Sequence, residues 1–385
     1  MPRDILLTSI SLFLWGFGEG LFINFQTIYL KQQWSTTPVL IGTILGIVGL
    51  VTVVCQIPAG YLSDRIGARP VMWAAWFTAS ITLIIMAFTS SLVVFIVAMA
   101  FYWCTSFVMP PLNRYMANMR GKMKLERAMT IGSVFYNSGA VVGPVLGGFM
   151  GDAYGLQMVF RVSPIIIFLS TFTILWIRAE PKIHHSTDKH PIHLIRNSRF
   201  FILLGIMSFT LFALFLPQPM TTYYLQTERN ISLSQIGQLS AIGSLGNVFA
   251  MFFLGNFNAL VAVFIGQAFI GIFSLVFWLG NGMAWFGVGY LFISGYRLSR
   301  NMMNAFIRPL VKEAETGLAF GFLETVGSIT QVIAPPVAGF LYTRDPLSIY
   351  STSFFLIVIF LVVNLFLLPR FQSRKEPTIE PITYT

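Results

Sequence analysis

Ile57-Pro58-Ala59-Gly60-Tyr61-Leu62-Ser63-Asp64-Arg65-Ile66-Gly67-Ala68-Arg69-Pro70 is the stretch on which the reading of the whole chain turns. Its three charges, Asp64, Arg65 and Arg69, fall in a glycine-punctuated turn between two long apolar runs. A short aqueous loop joining two membrane helices holds such a turn comfortably, because backbone and charge in hydrocarbon must find polar partners that water supplies outside it.

The composition agrees. The chain has 385 residues, 56% hydrophobic, 15% aromatic and only 10% charged, where soluble domains carry about 25% charge. A net charge of +10 raises the question of nucleic acid, but the basic residues are scattered over short loops, so no nucleic-acid-binding face is expected. Cys55 and Cys104 both lie inside apolar runs, where a thiol acts as a small hydrophobe, and no structural disulfide is expected. Met1-Pro2-Arg3-Asp4 leads straight into an apolar run without the short h-region and cleavage site of a signal peptide, so the first helix is expected to be retained.

With about 20 apolar residues per crossing, the sequence predicts an all-α membrane protein of twelve spans: 5–30, 38–60, 71–89, 91–113, 128–150, 159–177, 200–224, 232–256, 259–280, 284–307, 317–341 and 349–368. With the N-terminus cytoplasmic, the short inside segments hold most of the 24 lysines and arginines, and only Lys31, Arg161, Arg229 and Arg344 fall outside. That bias places both termini in the cytoplasm. The polar stretch 179–199 divides the chain into an N-terminal six-helix bundle, 1–178, and a C-terminal one, 200–385, with a short tail. All four histidines, His184, His185, His190 and His193, lie in it, at spacings that match no closed metal site, so a solvated linker without metal is expected.

The halves repeat each other. A shift of 195 lays Tyr29-Leu30 on Tyr224-Leu225 and Ile41-Gly42 on Ile236-Gly237; after a four-residue gap, a shift of 191 lays Pro144 on Pro335 and Gly148-Phe149 on Gly339-Phe340. Such duplication is the mark of transporters whose site lies between the halves.

Two motifs carry a family resemblance. Gly60-x-Leu62-x-Asp64-Arg65-x-Gly67-x-Arg69 resembles the cytoplasmic loop signature of the major facilitator superfamily, with Pro70 in place of its last basic residue. Gly139-x3-Gly143-Pro144-x2-Gly147-Gly148 is similar to the span-five motif associated with the drug:proton antiporter group. The resemblance implies the major facilitator fold: two pseudo-symmetric six-helix bundles, a central cavity and alternating access, with no cofactor. It also implies that Gly60, Asp64, Arg65, Gly67 and Arg69 act as a gating latch, Asp64 lying near the N-terminal dipole of span eleven. Gly139, Gly143, Pro144 and Gly147 would be gating elements of span five. The Arg-rich motif common in span four of proton-coupled members is replaced by Phe101-Tyr102-Trp103-Cys104-Thr105-Ser106-Phe107-Val108-Met109-Pro110-Pro111, which throws weight onto Glu19.

Ionisable groups inside spans cost roughly 2.5–3.5 kcal/mol each and face a cavity or a partner. Glu19 lies near the middle of span one, where Trp15, Glu19, Phe22 and Gln26 share a helical face; a carboxyl there can exchange a proton as solvent access changes sides, or be fixed for packing. In span ten, Tyr290, Ser294, Arg297, Asn301 and Asn304 form one stripe with Arg300 a turn away; in span eleven, Glu324, Ser328 and Gln331 share a face. An Arg300–Glu324 ion pair is expected, either static or gating, or else a direct part of proton handling, and Arg297 is the better placed to meet an anionic substrate group. Glu19 and Glu324 are therefore the expected proton-coupling carboxyls. Aromatic contact is assigned to Trp15, Phe22, Trp103, Tyr136 and Tyr290, and polar contact to Gln26, Asn137, Asn301 and Gln331. The function expected is export of small amphipathic compounds in exchange for protons by a monomer in the cell membrane. The alternatives are transport of an anionic or polar metabolite through Arg297 and Arg300, or a transporter-like receptor or lipid-handling protein. No phosphate-binding loop or nucleophile–base pair at motif spacing is present, so no enzyme activity is expected.

Overall fold

The computed structural model describes the backbone of residues 1–179, 197–254, 257–306 and 316–371, with the side chains of these except 56–65, 126, 304, 316–318, 320 and 321. The four linker histidines and the side chains of Asp64 and Arg65 lie outside the described residues, as does Gly60 beyond its helical backbone.

Among the described residues, helices make twelve passes. Pass one is α1 (Arg3–Ile23) continued by α2 (Gln26–Trp34); α3 (Pro38–Ile66) and α4 (Ala68–Phe88) follow. Pass four joins α5 (Leu92–Cys104) to α6 (Met109–Met119), and passes five and six are α7 (Leu125–Tyr154) and α8 (Leu156–Leu175). Pass seven is α9 (Ser198–Phe215) with α10 (Thr221–Thr227), then α11 (Leu233–Leu254) and α12 (Ala259–Leu279). Pass ten joins α13 (Met283–Phe292) to α14 (Gly295–Met303), before α15 (Thr316–Arg344) and α16 (Ser348–Leu367). With an even number of passes, Arg3 and Leu367 share one face of the bundle, the terminal face; the opposite one is the distal face.

The loop expected between spans two and three is a single residue. Helix α3 runs through Asp64 and Arg65 to Ile66, and α4 starts at Ala68. Gly67, at φ 91°, makes the reversal in a region that side chains with a Cβ rarely adopt. Arg69, in the first turn of α4, stacks over Trp73 at 4.1 Å.

Passes one, four, seven and ten, which are repeat mates in pairs, are the broken ones. In pass four the break is a 3₁₀ turn at Thr105–Val108, followed by Pro110 and Pro111 at the start of α6, where their missing N–H groups leave no helical bond unmade. The other three breaks fall at Asn24–Phe25, Leu216–Met220 and Ile293–Ser294.

Each half is held by buried hydroxyls, which in lipid replace much of the drive that water would supply. Trp76 Nε1 donates to both Ser11 Oγ and Ser170 Oγ at 2.8 Å, tying α4 to α1 and α8. In the other half Ser274 bonds Ser353 at 3.2 Å and Asn364 donates to Thr210 at 3.0 Å. The outer surface is apolar, with Phe88, Phe252, Leu279 and Phe366 each about two-thirds exposed or more.

One expectation is overturned here. Cys55 on α3 and Cys104 at the end of α5 form a disulfide, their Cα atoms 5.7 Å apart. Reading each thiol within its own span hid that the spans adjoin and that both residues lie at one depth. Maleimide labelling of protein denatured without reductant is expected to find no free thiol, and labelling after reduction two.

Candidate functional site

The halves meet along two seams, α3 against α15 and α7 against α11. Both are built of glycine against backbone. A Cβ on Gly42 would strike the Pro335 carbonyl, and one on Gly237 the Pro144 carbonyl; likewise Gly339 abuts Pro38 and Gly148 abuts Leu233. These pairs are images of one another under the shifts of 195 and 191 found in the sequence. They all lie in the distal half of the bundle. Between the seams Thr27 and Thr222, also repeat mates, share a 3.2 Å hydrogen bond across the halves, and Lys31 donates to Thr227 at 3.2 Å.

A charge reinforces the α7–α11 seam. Asp152, in the last turn of α7, accepts the N–H groups of Leu233 at 2.9 Å and Ser234 at 2.8 Å. These are the first residues of α11, so a carboxylate from one half sits on the positive end of a helix in the other. Ser232 and Gln235 complete that helix start with a reciprocal capping box. Sequence reading passed over Asp152 because it stands at a span end, where an acid looks like an ordinary loop charge.

On the terminal side of these seals lies a partly open cavity of about 550 Å³. All four broken passes line it: pass one from Leu12 to Thr27, pass four from Tyr102 to Leu112, pass seven at Phe215, Gln218, Pro219 and Thr222, and pass ten at Arg297. Leu45, Trp76, Tyr136, Asn137, Ala140, Ser244 and Asn247 complete the wall.

Glu19 stands in this wall, partly buried, with two donors on one oxygen: Trp15 Nε1 at 3.1 Å and Tyr136 OH at 3.2 Å. Trp15 is one helical turn away on α1, whereas Tyr136 is delivered by α7. Glycines allow that approach, since a Cβ on Gly16 would strike the Tyr136 carbonyl and one on Gly20 would meet Pro144 and Gly143. Gly139, Gly143 and Gly147 pack on the α1 backbone at Phe13, Phe17 and Leu21. The span-five motif therefore seats α7 against α1 within one half, and its carboxyl-terminal neighbour Gly148 and the Pro144 carbonyl make the contact across the halves.

The cavity brings together Trp15, Glu19, Gln26, Trp103, Tyr136, Asn137 and Arg297 of the expected site residues. Others lie elsewhere. Phe22 is fully buried against Tyr102 and Phe160, and the break at Asn24–Phe25 ends the continuous helix that would give Gln26 one face with it. Tyr290 packs among Phe273 and Phe277, the break at Ile293–Ser294 having ended its register with Arg297. Asn301 donates to Met251 Sδ at 3.4 Å, and the Gln331 backbone packs on Gly49 in the seam.

Arg300 and Glu324 form the expected ion pair, at 2.5 Å, away from the cavity lining. Their side chains are 24% and 52% exposed, so the pair contributes about 1 kcal/mol or less. Reversing both charges, Arg300→Glu with Glu324→Arg, is expected to restore the melting temperature and flux lost in either single reversal; a thermal melt and a flux assay on the three variants check it.

Sequence reading missed Trp76, Tyr102, Phe215, Gln218, Thr222 and Asn247. The repeat could have found Thr222, the mate of Thr27; Trp76 and Tyr102 gave no signal, since an aromatic inside an apolar run reads equally well as core. The lining joins a carboxylate, a guanidinium and several aromatic rings, chemistry suited to reversible binding of a small organic molecule and a proton, and among the described residues no cluster of His, Cys, Asp or Glu could hold a metal ion.

Comparison with known proteins points the same way. The class B tetracycline resistance protein of Escherichia coli is 23% identical over 359 residues, 88% of this chain and 89% of that protein. An uncharacterized MFS-type transporter of Methanocaldococcus jannaschii is 29% identical over 161 residues, 42% of each chain, so that alignment spans less than half of the relative. The crystal structure of the nucleoside transporter NupG superposes with a TM-score of 0.78 over 97% of this chain and 100% of that one, at 14% identity, a likeness of fold alone. The family model of the Major Facilitator Superfamily matches residues 8–299. With twelve passes in two repeated halves around a shared cavity, the chain belongs to the Major Facilitator Superfamily: it is an integral membrane transporter and not an enzyme.

Proposed function

We propose that this protein exports small amphipathic organic compounds in exchange for protons, with Glu19 as the group that proton and substrate share. The observation that carries this reading is the placement of Glu19, held by Trp15 and Tyr136 in the wall of a cavity between the halves. An ionisable group kept at such a depth is retained against its insertion cost, and a cavity gives it a partner that comes and goes. The aromatic wall of Trp15, Trp76, Tyr102, Trp103 and Phe215 suits flat apolar or cationic molecules. The names of relatives, tetracycline resistance protein and multidrug resistance protein, favour export. The excess of lysine and arginine on the terminal face favours a cytoplasmic position for it in the cell membrane; in that orientation the distal seals correspond to an inward-facing form, and the carrier is proposed to work as a monomer.

A second reading, transport of an anionic metabolite, is favoured by Arg297, which is exposed to the cavity. Proteoliposomes decide between them. Efflux of lipophilic cations driven by an imposed pH gradient and lost in Glu19→Gln supports the first; anion flux lost in Arg297→Ala with Glu19→Gln still active supports the second. Flux indifferent to the gradient for every compound overturns proton coupling.

A further inference from the structure

Glu19 and Arg297 belong to different halves, α1 and α14, yet line one cavity. Glu19 has its two neutral donors; Arg297 makes no hydrogen bond or ion pair within the described residues, and its side chain stands more than a third exposed. The site thus offers a fixed negative end on one half and an unsatisfied positive end on the other. A purely cationic ligand at Glu19 leaves Arg297 unmatched and is repelled by it; a purely anionic one at Arg297 meets the same difficulty at Glu19. Each such arrangement buries a charge with an incomplete partner, which is costly.

The same lining holds polar atoms that find no partner among the described residues. Gln26 Oε1 and Asn247 Oδ1 are buried acceptors, from different halves, and Trp103 Nε1 and the Ser106 hydroxyl are buried donors beside the pass-four break. Buried polar groups without partners are uncommon in a settled interior and ask for a ligand or water that supplies the missing bonds. The lining also carries the rings of Trp15, Trp76, Tyr102 and Phe215.

We infer that the transported compound is a small dipolar aromatic molecule, bound with its cationic group at Glu19 and its anionic group at Arg297, its neutral polar substituents meeting Gln26, Asn247, Trp103 and Ser106. This rests on the reading of the cavity as the transport site and goes beyond it by fixing the charge pattern of the cargo. Such a ligand touches both halves, so its bonds are complete only when they close around it, and its differential affinity favours the occluded form. Its cationic group and a proton compete for the same carboxylate, which is the condition for exchange.

The test uses purified full-length protein and ring-matched triplets: tryptophan, tryptamine and indole-3-propionate, and naphthylalanine with its amine and acid counterparts. Binding is read as ligand-induced thermal stabilisation near neutral pH. In each set the dipolar member is expected to bind most tightly, by about tenfold or more over either singly charged analogue, as the loss of a charge-assisted bond implies. Glu19→Gln is expected to erase its advantage over the acid, and Arg297→Gln its advantage over the amine; a merely structural role for either residue would lower all three members alike. The inference is overturned if an amine or acid binds the unaltered protein as tightly as its dipolar partner, if both variants leave the ranking unchanged, or if no member of either set binds at millimolar concentration. Preference for the amine with gradient-driven flux intact overturns only the charge pattern. Dipolar preference with flux indifferent to a pH gradient supports the charge pattern and overturns only the coupling.

Discussion

Glu19→Gln is expected to lose gradient-driven flux altogether while the protein keeps its fold. The amide oxygen can still accept from Trp15 and Tyr136, which bond one oxygen of the carboxyl, so the packing of α1 on α7 has no reason to change. Stability should therefore move by less than about 1 kcal/mol, or a few degrees in melting temperature. What the amide cannot do is gain and lose a proton. Downhill exchange of labelled substrate without a pH gradient should survive in part, because it needs binding and rocking but no titration. Flux and melting temperature, measured on the same preparation, separate these outcomes.

The second large effect is expected at the seams. Gly237→Leu and Gly42→Leu each put a side chain where a backbone carbonyl of the other half now sits, Pro144 in one case and Pro335 in the other. The clash exists only while the distal face is closed, so it acts on the equilibrium between closed and open forms more than on folding of either half. Overpacking of this kind costs about 1–3 kcal/mol, which shifts that equilibrium by about five- to 150-fold. Both variants should lose flux and expose the cavity distally. A thiol at Asn137, a half-buried position in the cavity wall, in protein lacking Cys55 and Cys104, should then react faster with an impermeant reagent applied from the distal face. Because the seams are repeat images, the two variants should behave alike; Asp152→Ala, which removes an exposed carboxylate from one seam, should produce a smaller shift in the same direction.

Much of this was legible in the residues, for definite reasons. Hydrophobic runs of membrane length give the passes directly, and the shifts of 195 and 191 that align the halves relate the contact Gly42–Pro335 to its image Gly237–Pro144, although the contacts themselves appear only in the fold. Glu19 could be found because a carboxyl at that depth has so few ordinary explanations, and Arg300 and Glu324 because two opposite charges at one depth relieve each other's burial. What stayed hidden depends on helix continuity and on neighbours across passes. The wheel that set Phe22 beside Gln26 assumed a helix that in fact stops at Ile23; the stripe from Tyr290 to Asn301 fails in the same way. The Cys55–Cys104 bond and the cap that Asp152 places on α11 are properties of two segments together, which periodicity within one segment does not report.

Coupled transport requires one carboxyl position that water reaches from each side in turn. In protein with Cys55 and Cys104 replaced by serine, Glu19→Cys exposed to a charged, impermeant thiol reagent in intact cells and in inverted vesicles measures this most directly. Modification from both sides is the predicted result, with the distal rate raised by Gly237→Leu. Modification from one side alone in every background, or from neither, would contradict it.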